Sequence, residues 1–362
     1  MEVLIFLIVI VALIVVHELG HFIAAKLTGM RVDEFGLGYP PRALTLGSAG
    51  GTRYTLNWLP FGGFVKIYGE NSEAAGEPAF SSKSRPAQAF VLAAGVLMNL
   101  LFAYLLIAGA LFAGTPRALA PNEIAGAKGA ELAVASVLPG SPASRAGILS
   151  ADSILSASDP TGSWHSGDPE SFTRFVGASG GAPIQLEIKR NGSEKKVGVA
   201  AERGVAPSDP SRYALGVEVA NIGIVPLSLG AALTKGATLT WQITKLTTFG
   251  LLHFFYGVFT LSADLSQVAG PIGIAGAIGG AAAAGLGNLL ALAAVISINL
   301  ALINLLPVPA LDGGRLLFVA IEAITRRPIK AVVAQTVNSI GFAFLILLMA
   351  VVTLHDLSKI VG

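Results

Sequence analysis

The chain has 362 residues, no cysteine, and a net charge of +2 from 24 basic and 22 acidic side chains. Only 13% of its residues are charged and its mean hydropathy is +0.69; soluble domains carry about 25% charged residues, so this is the composition of a membrane protein. The lack of cysteine excludes disulfides and thiolate metal sites, which leaves His and carboxylates as metal ligands, and the balanced charge argues against nucleic acid as a partner.

A membrane span needs about 20 apolar residues, and four segments qualify. The first covers residues 1–27. Its apolar run from Val3 to Val16 has no basic flank and no small-residue cleavage site before His17, and apolar character resumes at Phe22. It is therefore read as a retained span rather than a signal peptide. Residues 28–86 form a loop in which VDEFGLG, ALTLG, TRYTLNWL and GGFVKIYG alternate as short strands, separated by Pro40-Pro41, Gly50-Gly51 and Gly62-Gly63. That pattern predicts a small membrane-associated β-sheet.

The second span is 87–114. Residues 122–212 alternate strand-like runs with Gly, Pro, Ser and Asn turns, and PESFTRFVGAS reads as a short helix. They predict one inserted β/α domain, with Asn191-Gly192 as a hairpin turn. Residues 228–285 begin with a helix carrying Lys235, Gln242 and Lys245, which suits the membrane interface, with a fifth crossing as the alternative. They end in a Gly-rich stretch, 270–285, read as a loop or a broken helix. Residues 286–362 hold the third and fourth spans, at about 286–306 and 331–354.

Basic residues set the orientation. Arg31, Arg42, Arg53, Lys66, Lys83 and Arg85 in the first loop, and Arg315, Arg326, Arg327 and Lys330 between the last two spans, place both loops in the cytoplasm. The 122–212 domain and both termini then face outward. The fold expected is a polytopic α-helical membrane protein with about four transmembrane helices, a membrane-associated sheet and one inserted β/α domain.

The chemistry centres on His17-Glu18-Leu19-Gly20-His21. On a helix, residues i and i+4 share a face, so both imidazoles can ligate one ion, while Glu18 can act as base toward a water. Such residues inside an apolar span are costly unless they function. A hydrolytic site needs a third ligand and an open position. His165, His253 and His355 lie in polar or peripheral segments. Asp312 follows the third span in Pro307-Val308-Pro309-Ala310-Leu311-Asp312-Gly313-Gly314, where the prolines break the helix and the glycines admit close backbone approach. It is either that ligand or the N-cap of a helix over 315–325.

HELGH in the first span, LDGG after a Pro-x-Pro kink and a polar insert between spans together resemble the site-2 protease family, in particular its bacterial regulator-of-sigma-E protease group. Gly95-x-x-x-Asn99, Pro60-Phe61-Gly62-Gly63-Phe64-Val65-Lys66 and Gly270-Pro271-Ile272-Gly273-Ile274 extend the resemblance to nearly the whole chain. VLPGSPASRAGI followed by Asp152 resembles a PDZ domain of that family. It departs from the pattern in being single, in reading Ala151-Asp152 for Gly-Asp, and in carrying the insert SDPTGSWHSGDPE.

The resemblance implies Zn²⁺ on His17, His21 and Asp312, with Glu18 as catalytic base. It implies a zinc-dependent intramembrane endopeptidase, multi-pass in a bacterial plasma (inner) membrane, with the PDZ-like domain extracytoplasmic. The substrates implied are single-pass membrane proteins, such as pre-trimmed anti-sigma factors or remnant signal peptides. Asn304 or Asn99 would orient substrate or bind the oxyanion, or else bond between helices. Gly63 and Phe64 would lie near a sheet edge that pairs with an unwound substrate, or within a structural hairpin. The PDZ-like domain would bind a peptide end or act as a size filter. The rival readings are a non-catalytic membrane scaffold presenting the PDZ-like domain, a proton or ion transporter using Glu18 and Asp312, and a cytosol-facing zinc protease with a Glu ligand.

Overall fold

The computed structural model describes residues 2–70, 76–120, 122–165, 167–190, 192–206, 209–260, 262 and 269–361. The chain begins with α1 (Glu2–Leu27), β1 (Val32–Ala49), β2 (Thr52–Ile67) and α2 (Arg85–Ala113). A polar section follows, with β3 (Pro116–Ala118), β4 (Lys128–Val137), α3 (Pro142–Arg145), β5 (Ser153–Asp159), β6 (Gly162–His165), α4 (Pro169–Ala178), β7 (Pro183–Arg190), β8 (Ser193–Ala200) and β9 (Val217–Ile224). The chain closes with α5 (Leu229–Phe259), α6 (Pro271–Ala283), α7 (Leu286–Leu305), α8 (Asp312–Thr325) and α9 (Ala331–Val361). It divides into two units, one of residues 1–113 with 228–362 and one of residues 114–227.

In the first unit, four of the described helices are long and apolar enough to cross a membrane: Val3–Leu27, Arg85–Ala113, Leu286–Leu305 and Val332–Ser358. α2 is the hub, packed against α1, α5, α7 and α8. Small residues let these helices approach, as lipid-embedded packing requires. A Cβ on Gly20 of α1 would fall 2.4 Å from the Ala94 carbonyl oxygen of α2, and one on Gly236 of α5 would fall 3.2 Å from Ala108 Cβ. Ser297 of α7 donates from Oγ to the Asn99 carbonyl at 2.8 Å. The 31-residue α5 lies along α2 and α7 and is not among those four helices.

β1 and β2 are antiparallel, and each bends so that it pairs twice. Glu34–Leu37 pairs with Gly63–Lys66 on one side and with Arg53–Leu56 on the other, while Leu44–Ala49 pairs with Thr52–Leu56. Two long strands thus make four rungs, and Gly63–Ile67 forms one outer edge. The prolines at 40–41 and the glycines at 62–63, read above as separators, are bends inside continuous strands. The sheet docks on α1 through Phe22, whose ring meets Phe35 edge-on at 5.6 Å.

The expectation of a loop or broken helix over 270–285 is corrected, because Pro271–Ala283 is helical. Pro271 occupies the first turn, where a missing N–H costs nothing, and alanines propagate the helix. Asp356 of α9 accepts from the Gly270 and Gly273 amides at 3.1 and 2.9 Å, satisfying two of the orphan donors at this helix start.

The second unit is an antiparallel sheet in the order β3-β9-β4-β5-β7-β8, with β6 paired to β5. Its core gathers Leu132, Val134, Ile154, Phe172, Ile184, Leu186 and Ile188. The insert noted above forms the β5–β6 hairpin and the N-cap of α4, where Asp168 accepts from Ser171 N. Trp164 packs on Phe172 with ring centroids 5.2 Å apart. Ala151 holds φ at 71°, the left-handed conformation that glycine adopts freely. Asp152 behind it accepts from the Leu149 amide and from Arg190 Nε and Nη2 at 2.9, 2.6 and 2.6 Å. Asn191 of the expected turn, Ser166 of the insert, and residues 71–75 and 263–268 of the expected loops lie outside the described residues.

Candidate metal centre

α1 carries His17 and His21 one helical turn apart, so both rings leave the same face. Both are buried, at 7% and 8% exposure. His21 donates from Nδ1 to the Val91 carbonyl oxygen of α2 at 2.8 Å. That bond fixes the tautomer and leaves Nε2 as an acceptor.

Asp312 reaches the same point from 295 residues away. A Cβ on Gly313 would lie 2.2 Å from the Leu306 carbonyl oxygen, and one on Gly314 would lie 2.3 Å from that of Val308, so only glycines let α8 fold back onto the end of α7. Asn338 of α9 accepts from the Ala310 amide at 3.1 Å and steadies the turn. The N-cap of α8 is Leu311, with no side-chain cap, so Asp312 opens the helix without capping it. Its Oδ2 lies 2.9 Å from His17 Nε2 and 3.1 Å from His21 Nε2, and the two nitrogens lie 3.2 Å apart.

These spacings suit a bound metal. Ligands bonded to zinc at about 2.0–2.1 Å in a tetrahedron stand about 3.3 Å apart. Two imidazole acceptors and a carboxylate aimed at one buried point repel unless positive charge lies between them. Protons on the two Nε2 atoms can stand in that place: their hydrogen bonds outweigh burial and hold the Asp312 carboxyl well below the usual carboxylate range. It is therefore the anion that a metal requires. Asn99 adds a second sign. Its side-chain amide lies 3.2 Å from His17 Nδ1, and its buried Oδ1 has no hydrogen-bond partner. A His that ligates through Nε2 keeps its proton on Nδ1 and needs an acceptor there. Amide oxygen and nitrogen are assigned from the network, and turning the Asn99 amide over supplies that acceptor. Gly95 closes the ceiling, since a Cβ there would lie 2.4 Å from His21 Nε2.

Residues 5–348 match peptidase family M50. The chain belongs to that family.

Two proteins named "putative zinc metalloprotease" are similar over nearly the full length of each chain. The one from Clostridium perfringens is 35% identical over 96% of this chain and 95% of its own. The one from Nostoc sp. is 34% identical over 96% of this chain and 93% of its own. A zinc metalloprotease named RasP from Geobacillus kaustophilus is 28% identical over 98% of this chain and 97% of its own.

In this M50 peptidase the three side chains border a cavity of about 1020 Å³. Glu18, Gly63, Phe64 and Asn304 line it. A Cβ on Gly63 would lie 3.3 Å from Glu18 Cγ, so β2 packs directly against the motif glutamate. Asn99 is placed differently. It is fully buried behind His17 and is not part of the cavity wall, so it can orient that ring but does not face a substrate. His165 lies in the second unit on β6, and His253 and His355 lie on α5 and α9; none joins the cluster.

Two cavity residues were passed over in the sequence. Glu70 lies in the turn that follows β2, its amide bonded to the Ile67 carbonyl, and Arg315 was read only as an orienting charge. They form an ion pair in the cavity wall. The available signal was a lone acid just past an apolar strand and a base one turn after Asp312.

Proposed function

We propose that this membrane peptidase is a zinc-dependent intramembrane endopeptidase that cuts single-pass membrane proteins, with Zn²⁺ held by His17 Nε2, His21 Nε2 and Asp312 Oδ2. The observation that carries the reading is the convergence of those three atoms, 2.9–3.2 Å apart, beside Glu18 and the outer strand of the sheet. Zinc in that position supplies a Lewis acid that acidifies water and polarises a carbonyl. Glu18 takes the proton of the attacking water and delivers it to the leaving amine. Asn304, in the same wall, donates to the substrate carbonyl. Asn99 and Val91 hold the two imidazoles in the tautomers that the metal needs. A scaffold would need neither the paired acceptors nor Glu18 beside them.

A transmembrane helix hides its scissile carbonyls, so the substrate must be extended to be cut. The Gly63–Ile67 rung lines the cavity, and among the described residues no strand pairs with its outer side, where the Val65 amide donates to Glu18; this supports strand addition of the unwound segment next to Glu18. Tyr39, Leu44, Leu46 and Trp58 of the sheet are all more than half exposed, at 51%, 56%, 58% and 70%, which supports a sheet lying in the membrane.

The 114–227 unit reads as the PDZ-like domain, outside the plasma membrane of a bacterium. A groove of about 660 Å³ between α4 and β9, lined by Phe172, Val176, Leu215 and Val217 with Arg212 beside them, supports binding of an apolar peptide end.

The test uses purified protein in detergent and a trimmed single-pass reporter. One zinc per chain, lost in Asp312→Ala, with the cut mapped by mass spectrometry inside the apolar segment, is the expected result. A protein without zinc, or cleavage that survives chelation, would overturn the reading.

A further inference from the structure

The ligand set is completed by Asp312, so the register of α8 against α1 decides whether the centre forms. The backbone of this turn is steadied from the α7 and α9 sides, by Gly313 and Gly314 on the carbonyls of Leu306 and Val308 and by Asn338 on Ala310. The β-sheet side is held by charge. Arg315 follows Asp312 by three residues, so the two side chains share a face of α8. Arg315 donates from Nη1 to Glu70 Oε1, and both line the cavity.

Glu70 stands on a firm base. Tyr68, two residues before it, donates from its amide to the Arg31 carbonyl at 2.9 Å and accepts at its carbonyl from the Phe80 amide at 2.8 Å. Gly69 holds φ at 75° against Ala79, where a Cβ would come within 2.7 Å. The Glu70 side chain is 10% exposed and that of Arg315 is 35% exposed. Burial pushes the Glu70 carboxyl up and the Arg315 guanidinium pulls it back. A second ion pair, Arg85 to Glu322 at 2.6 Å, fastens the far end of α8 to α2. α8 is therefore strapped at both ends, and the strap beside Asp312 runs to the turn that follows the strand bordering Glu18.

We infer that Glu70 and Arg315 are positioning residues, an ion-pair strut between the turn after β2 and α8 that holds the Asp312 carboxylate against the two imidazoles. Neither touches the reacting atoms. The strut fixes the distance between the metal ligand on α8 and the strand edge beside the base. The inference rests on the zinc reading of the cluster and deepens it.

The experiment measures zinc retention by full-length protein in detergent, as loss to a chromogenic chelator, with thermal unfolding and helix content as controls for folding. The variants are Glu70→Gln, Arg315→Gln, Arg315→Lys, and the exchange Glu70→Arg with Arg315→Glu. Groups that orient metal ligands typically change affinity about 10–100-fold. Each single charge loss is expected to weaken zinc retention by about that factor. The exchange is expected to restore most of it, which a general loss of stability would not do. Arg315→Lys, which keeps the charge and so the fold, is expected to fall between wild type and Arg315→Gln. With zinc saturating, Glu70→Gln is expected to lower kcat at unchanged KM. Zinc retention equal to wild type in Glu70→Gln and Arg315→Lys, or an exchange no better than the single variants, would overturn the strut. The metal reading fails separately, if wild type itself retains no zinc or if His21→Ala retains it undiminished.

Discussion

Gly95 works by what it lacks. A methyl there would sit 2.4 Å from His21 Nε2 and 2.8 Å from His17 Nε2, inside any zinc ligand shell. Overpacking of this kind costs about 1–3 kcal/mol where neighbours can move, and here the neighbours are the ligands. Gly95→Ala is expected to fold in detergent yet hold zinc at least about 10-fold more weakly; retention equal to wild type would mean that the ceiling is not tight. The sequence displayed the His pair because helical period alone puts i and i+4 together. It displayed Asp312 only as an acid in a broken segment, since no periodicity reports a contact made 295 residues away. Gly95 and Glu70 left still fainter marks, because their roles lie in an approach distance and in a partner on another element.

A second residue-scale prediction concerns Asp152. Burial pushes its carboxyl up, but hydrogen bonds from Arg190 and the Leu149 amide outweigh that and hold it below the usual carboxylate range. A group with a depressed value in the folded state stabilises that state above its unfolded value, about 3.9, and the contribution disappears as pH falls through the folded value. Asp152→Asn is therefore expected to make the 114–227 unit of the intact protein more protease-sensitive at pH 7. The difference from wild type should close below about pH 4. A difference that stays constant with pH would remove the pair from the account.

Among the elements, β2 carries the most. Its last rung, Gly63–Ile67, borders the cavity, and Gly63 packs on Glu18. Val65→Pro removes a backbone donor from that rung. It is expected to cut turnover at least about 10-fold while zinc stays bound; turnover equal to wild type would count against strand addition. Aromatic and β-branched alternation made this sheet legible, but its four-rung form was not, because bends at prolines and glycines resemble turns when only local composition is read. α6 escaped for a related reason. Its glycines signal a loop, whereas its cap comes from Asp356, 86 residues away from Gly270.

At the scale of the molecule, the four apolar helices were the plainest feature, since hydropathy over about 20 residues is set by the bilayer itself. The polar unit stood out by the same contrast, but the expected bounds of 122–212 leave out β3 and β9, which belong to a unit of residues 114–227, and its sheet order was not legible. If its groove captures a peptide end, replacing residues 116–225 by a short Gly-Ser linker lowers cleavage of a trimmed reporter and leaves an untrimmed one uncut. If it is a size filter, the same replacement lets untrimmed substrate be cut.

The central claim is that Glu18 is the base of a metal-dependent peptidase whose ligands are His17, His21 and Asp312. The most direct measurement compares wild type with Glu18→Gln on a trimmed single-pass reporter in detergent, with zinc quantified in the same samples. The account predicts equal zinc in both proteins and turnover lower by about 10²–10⁴-fold in the variant, the range typical of a positioned general base. Equal turnover by the two proteins at equal zinc would contradict it.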